Sequence, residues 1–242
     1  MGTRERRQRD FELREQRFVE AGRELIREDG LLNLQMARVA DRCEYAVGTL
    51  YQHFVSKEDL LLEIARKDIE AHVSLFERVA RWSAPARDRM IAMTVADAVF
   101  FSHNPEHFQL IQYVFCDVVW RSAPAERRQQ VLATQAPISA IAVGIVDDGV
   151  AAGDLDRGGL SSWGVASASW AQALGMLNLL HAEGLVEPIS MVQPYRLMCR
   201  HMQVLLNGFG WQPLVDVSDD AALDALINRI RTEVFHDCSA EI

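Results

Sequence analysis

Long apolar runs, paired cysteines and glycine-rich loops are all missing from this sequence of 242 residues, and each absence removes a class of function. No stretch of 18 or more consecutive apolar residues occurs, so no membrane-spanning helix and no membrane partner are expected. The first nine residues, Met1 to Arg9, are too polar to start a secretory leader, and the chain is read as cytoplasmic. Its four cysteines, Cys43, Cys116, Cys199 and Cys238, are widely spaced with no Cys-x-x-Cys pair. That argues against a zinc knuckle or a disulfide framework and for free thiols. There is no Gly-rich phosphate loop, nucleophile elbow or His-Glu-x-x-His, so the sequence offers neither a coherent catalytic set nor a cofactor site. Runs of β-branched residues flanked by hairpin turns are missing too, which removes sheets.

Apolar residues make up 49% of the chain, and Gly and Pro are scarce at 14 and 7, the profile of an ordinary folded protein. The formal charge of −9 speaks against a nucleic-acid partner only until it is divided. Residues 1–57 hold 11 Lys and Arg against 10 Asp and Glu, whereas the other 185 hold 14 against 24. The N-terminal end is therefore the less repelled by a phosphate backbone. Its first nine residues set Arg4, Arg6, Arg7 and Arg9 against Glu5 alone, either a basic arm for DNA or a solvated tail.

Nearly every segment has helical periodicity, so the fold class is all-α. From Asp10 to Asp29 the positions Phe11, Phe18, Ala21, Leu25 and Ile26 share one stripe, and Gly30 stops the helix. Two short helices are expected over Met36–Arg42 and Val47–Phe54. Ser56, followed by Lys57, Glu58 and Asp59, should cap a long helix to about Val79. Further helices should start near Pro85, Pro105 and Pro124. Pro137 should start or kink one, and Gly153 should end that segment. Leu160–Ala182, apolar almost all round, must be covered on several sides. After a break over Gly184–Pro188, a helix is expected over Ser190–Leu206, and Ser218 should cap a last one to about His236.

Two short helices joined by a tight turn and packed on a first helix make a helix-turn-helix, whose second short helix enters the major groove. Val39, Ala40, Leu50 and Phe54 have the spacing to face the first helix. Val47, Gly48, Thr49, Tyr51, Gln52 and His53 are then left to face outward in varying degrees. The run Gly48-Thr49-Leu50-Tyr51-Gln52-His53-Phe54, followed by Ser56-Lys57-Glu58-Asp59-Leu60, resembles the signature of the TetR regulators over about residues 11–65. The resemblance implies that Tyr51 gives its hydroxyl to one phosphate and Lys57 its charge to another, with Thr49 and His53 holding the backbone nearby. Such contacts position the head without reading sequence. Ala46 and Val47 stand where apolar groups touch a thymine methyl, and Gln52 where an adenine edge could be read. The sequence departs from the family pattern at three places. Gln35 replaces the usual threonine, Glu44 a turn glycine and Ala46 a frequent serine. Glu44 is then expected in a left-handed conformation, at about 1 kcal/mol, and Ala46 cannot cap the recognition helix.

The resulting expectation is a DNA-binding head over 1–56, joined by the long helix to an effector-binding and dimerisation domain over 57–242. The family resemblance further implies a homodimer, paired through two late helices for which Leu160–Ala182 and Ser190–Leu206 are the candidates, on double-stranded operator DNA. Phe100, Phe101, His103, Phe108, Tyr113, Trp120, Trp163 and Trp170 suggest a pocket for a mainly apolar small molecule, each being individually as consistent with core filler. No metal site is expected. His103 and His107 are four apart but have Pro105 between them and no third ligand, and Asp147, Asp148, Asp154 and Asp156 lack calcium-loop spacing. The leading reading is a repressor released by its effector. The alternatives are an interaction protein whose head binds protein rather than DNA, and an enzyme built on a helical bundle.

Overall fold

The computed structural model describes residues 3–103, 105–181 and 193–238, the side chains of Thr3 and His103 excepted. Eleven α-helices occur among the described residues, and no strand. They are α1 (Thr3–Asp29), α2 (Met36–Arg42), α3 (Val47–Leu50), α4 (Lys57–Arg81), α5 (Ala86–His103), α6 (Pro105–Val114), α7 (Asp117–Ser122), α8 (Ala125–Ala151), α9 (Ser162–His181), α10 (Pro194–Gly208) and α11 (Asp220–Val234).

Local chemistry accounts for most of the boundaries. Gly30 takes φ 87°, a backbone that stops α1 at little steric cost. The Ser56 hydroxyl accepts from the Asp59 amide at 3.2 Å while the Asp59 carboxylate accepts from the Val55 amide at 3.0 Å, a reciprocal cap that starts α4. Four expectations need correction. α1 begins at Thr3, two turns before Asp10, so the arginine-rich start is helical. α3 covers only Val47–Leu50 and passes into a turn before Phe54. Pro137 does not start a helix, because α8 runs through it. The cap of α11 is Asp219, whose side chain accepts from the Ala222 amide, while Ser218 binds Asp216 instead. Gly184–Pro188 and Ser190 lie outside the described residues.

The chain divides into two compact units. The first joins residues 1–69 to 106–134 and is thus larger than the expected 1–56 head. Phe18, Leu25, Ile26, Val39, Ala40, Leu50, Phe54, Leu60 and Ile64 are buried in it. α1 comes so close to α4 that a methyl on Gly22 would stand 2.8 Å from the Ile64 Cδ1 atom.

The second unit holds residues 70–105 and 135–242. Its core gathers Phe76, Val79, Met90, Ile91 and Val95 with Ile145, Val146, Met202, Leu206, Trp211, Ile227 and Ile230. α10 packs on α5 and α9, and α11 on α5. Arg87 is buried within this unit and donates to the Trp211 carbonyl at 2.6 Å and to the Gln203 and Asn207 side chains at 2.8 Å each. Those neutral acceptors take the two Nη groups of a guanidinium that burial makes costly, while its Nε has no hydrogen-bond partner among the described residues.

Candidate nucleic-acid interface

The head is built around a short apolar set. Val39 and Ala40 on α2, Leu50 on α3 and Phe54 after it are all fully buried. With Leu50 and Phe54 turned inward, Tyr51 and Gln52 are left outside. Tyr51 is 49% exposed and Gln52 is exposed. A tyrosine with half its surface in water is suited to offer its hydroxyl to a phosphate oxygen. Gln35, Ala46 and Gly48 are exposed, whereas Val47 and Thr49 are half-buried. Gly48 has no atom within 4 Å of where a Cβ would stand, so its surface is open.

Two predicted contacts stand differently. His53 is corrected: its ring is buried, stacked on Phe11 at 3.8 Å between centroids and edge-on to Phe18 at 5.4 Å. Burial pushes its pKa below the usual imidazole value, so the ring packs as a neutral aromatic and does not reach outward. Lys57 is half-buried, and its Nζ donates to the Leu32 carbonyl at 3.1 Å. An ammonium has three protons, so this bond orients the side chain without using all its donors.

The turn between α2 and α3 carries the expected strain. Glu44 sits at φ 60°. Ala46 occupies the cap position of α3 with no side-chain hydrogen bond to the first turn. The cations of α2 are taken by acids of α1: Arg42 meets Glu28 at 2.6 Å and Arg38 meets Asp29 at 2.7 Å. Sequence reasoning missed these pairs, because their partners are set by helix packing rather than by spacing along one helix.

The eight residues expected to line an effector pocket are divided between the two units. Phe108, Tyr113 and Trp120 belong to the first unit, and Phe100, Phe101, Trp163 and Trp170 to the second. Phe108 is buried, Tyr113 half-buried, and Trp120 stacks on Phe115 at 5.2 Å. Phe100 and Phe101 are core residues grouped with Phe76 around His72, whose Nε2 lies 2.9 Å from an Asp97 oxygen. Trp163 and Trp170 are about half exposed on α9, 6.4 Å apart, so they line no enclosed space. The side chain of His103 lies outside the described residues. One cavity of about 210 Å³ lies among Arg87, Asp88, Arg200, Gln203, Asp216 and Asp219. A second, open one of about 500 Å³ lies beside Val150, Leu155, Arg157 and Leu160. Neither is lined by any of the eight. Among the described residues no group of three His, Cys, Asp or Glu is placed to hold a metal.

The second late helix expected at a dimer interface, α10, buries its apolar stripe of Met198, Cys199, Met202 and Leu206 in the chain's own core and leaves Val204 half exposed on its other side. α8 instead is apolar and poorly covered. It is long and apolar enough by composition to cross a membrane, and only 17% of that window is buried.

The family model for bacterial regulatory proteins of the tetR family matches residues 18–64. An HTH-type transcriptional regulator of Staphylococcus aureus (strain USA300) is 31% identical over 71 residues, which span 29% of this chain and 38% of the relative. Two solved structures share the fold. The TetR family regulator PfmR from Thermus thermophilus has a TM-score of 0.61 at 19% identity, over 79% of this chain and 97% of its own. The regulator FadR from Bacillus subtilis, in complex with stearoyl-CoA, has a TM-score of 0.63 at 18% identity, over 80% and 98%.

Proposed function

The chain belongs to the TetR family, by its head at residues 18–64 and by its fold, and from that premise we propose that it is a repressor that holds operator DNA as a homodimer. Members of this family act by binding DNA rather than by catalysis. The observation that carries the reading is the opposed exposure along one short segment: Leu50 and Phe54 are fully buried and Tyr51 is half in water. Tyr51 and Lys57 bind phosphates, while Gly48 and the hydroxyl of Thr49 let the backbone approach. Ala46, Val47 and Gln52 face base edges, with Gln35 at the start of α2 beside them. The helical, arginine-rich start of α1 adds phosphate contacts from Arg4 and Arg7, which share the face of Phe11 by helical spacing.

Two protomers are needed to place two such segments one helical turn of DNA apart. The pairing surface is α9, with Trp163, Trp170 and Leu179 exposed, together with the thinly covered α8. A mainly apolar small molecule is the effector, in line with the stearoyl-CoA held by the FadR relative. It relieves repression only by binding the DNA-incompetent form more tightly.

The test is anisotropy binding to a duplex from upstream of the chain's own gene. Tyr51→Phe combined with Lys57→Ala should lower affinity about tenfold or more and reduce the slope of log K against log salt by about one. An unchanged affinity would reject the phosphate assignments. A wild-type affinity that does not fall with salt would favour a protein partner for the head.

A further inference from the structure

Arg127 stands in the first turn of α8, with its side chain 14% exposed, and belongs to the same compact unit as the head. Its guanidinium meets three carboxylates from two other helices. Nε donates to Asp59 at 2.9 Å and Nη1 to Glu63 at 2.5 Å, while Nη2 lies 3.8 Å from Glu15. Asp59 and Glu63 belong to the first two turns of α4, and their side chains are 7% and 4% exposed. Glu15 is on α1. The same guanidinium lies over the Phe54 ring, 5.6 Å from its centroid.

Each of these partners leads back to the segment that faces DNA. Phe54 is the buried end of the turn after α3. Asp59 takes Arg127 on one oxygen and the Val55 amide on the other, so the loop joining α3 to α4 hangs on a carboxylate that Arg127 fixes. The planar fork suits this work, because it serves two carboxylates in fixed directions and lays a face on an aromatic ring at once. Arg66 forks onto Glu63 as well, at 2.7 and 2.8 Å. Without Arg127, Asp59 would stay almost out of water without its guanidinium partner, and Glu63 would be left to Arg66. Burial, opposed by Arg127, already holds the Glu15 carboxyl above the usual range.

We propose that Arg127 is a positioning residue for DNA binding: from the start of α8 it fixes the segment Val47–Val55 against α4 without itself touching DNA. The proposal rests on the DNA-binding reading above and adds a control point outside residues 18–64. Charge alone holds the acids together, but only the fork holds Asp59 and Glu63 in register.

The experiment uses the full-length protein, its promoter duplex and a random duplex of equal length. Arg127→Met should lose about tenfold in promoter affinity, the scale of coupling within one ion-pair network. Its slope of log K against log salt should stay that of the parent, because no phosphate contact is removed. Amide exchange should quicken over residues 47–59 and not across the second unit. Arg127→Lys should recover part of the affinity and part of the protection, and it serves as the working variant should Arg127→Met fail to fold. Parent-like affinity and exchange in both variants, or in the lysine variant alone if only that one folds, would overturn the proposal. So would a slope reduced by about one, which would make Arg127 a phosphate contact. Should the parent bind neither duplex, the DNA reading fails, and the exchange over 47–59 still decides whether Arg127 holds the segment.

Discussion

Gly149→Ala sets two effects of opposite sign against each other. Gly149 lies within α8, where alanine is favoured over glycine by about 1 kcal/mol. The added methyl, however, would stand 2.7 Å from the Trp211 Cζ2 atom, 3.0 Å from Cε2 and 3.1 Å from Nε1. Carbon pairs rest about 3.5–4.0 Å apart, so the overlap approaches an ångström. The indole cannot turn aside at little cost. Its residue is fully buried, its carbonyl holds Arg87 at 2.6 Å and its amide bonds the Leu206 carbonyl at 3.0 Å. The Gly149 backbone is equally tied, since its carbonyl accepts from both Asp154 and Leu155. Overpacking of this kind costs about 1–3 kcal/mol, and the rigid ring puts this site at the upper end. The net loss is then about 1–2 kcal/mol, or a Tm lower by about 2–8 °C at this chain length. Gly208→Ala, at the exposed end of α10 with no atom within 4 Å, keeps only the favourable side and should be neutral or slightly stabilising. Thermal unfolding of the two variants beside the parent measures both. A Gly149 variant melting at or above the parent would refute the packing argument.

The remaining predictions concern the head and the dimer. Burial holds the pKa of His53, His107 and His181 below the ordinary value of 6.5, so the unfolded chain binds protons first. Their stabilisation is full above that pH and is lost as pH falls below it. Glu15 and Asp68, raised by burial, act in the opposite sense and stabilise most in acid. His53→Phe should therefore flatten the loss of Tm between about pH 6.5 and 5; an unchanged profile would show that His53 is not packed neutral. Glu44→Gly relieves a left-handed residue worth about 1 kcal/mol and removes an acid from the DNA face. It should raise Tm by about 2–4 °C and tighten DNA binding, with both measured on one sample. Trp170→Ala should weaken dimerisation by about 2 kcal/mol or more if α9 pairs with a second copy, as read by sedimentation against concentration.

The head was legible because its determinants are local. Leu50 and Phe54 are four residues apart, so helical spacing alone assigns them a common inward face, and the cap at Ser56 needs only the three residues after it. Glu44 was legible through the family resemblance, because it stands where that pattern has a turn glycine. His53 was not. It follows Tyr51 and Gln52, and its position in the run says nothing of Phe11, forty-two residues earlier, whose ring gives it an apolar partner. Arg127 was still less visible, since its partners Asp59 and Glu63 lie 68 and 64 residues away, and no spacing rule connects α8 to α4.

Aromatics clustered in sequence say little about what they meet in space. Consecutive residues on a helix point about 100° apart, so a cluster of aromatics in sequence is dispersed in space unless a second helix collects them. Phe100 and Phe101 share a partner because His72 approaches from α4, stacking on one ring and meeting the other edge-on. Trp163 and Trp170, seven apart and so on one face of α9, do meet, but on the outside of the chain's own core. Periodicity thus identifies which face of a helix must be covered and leaves open whether the cover is the same chain, a second copy or a ligand. α10 and α9 each bury one face in the chain's own core, α10 against α5 and α9. What α9 leaves about half exposed among the described residues is a pair of tryptophans in contact, which is why the dimer proposal rests on α9.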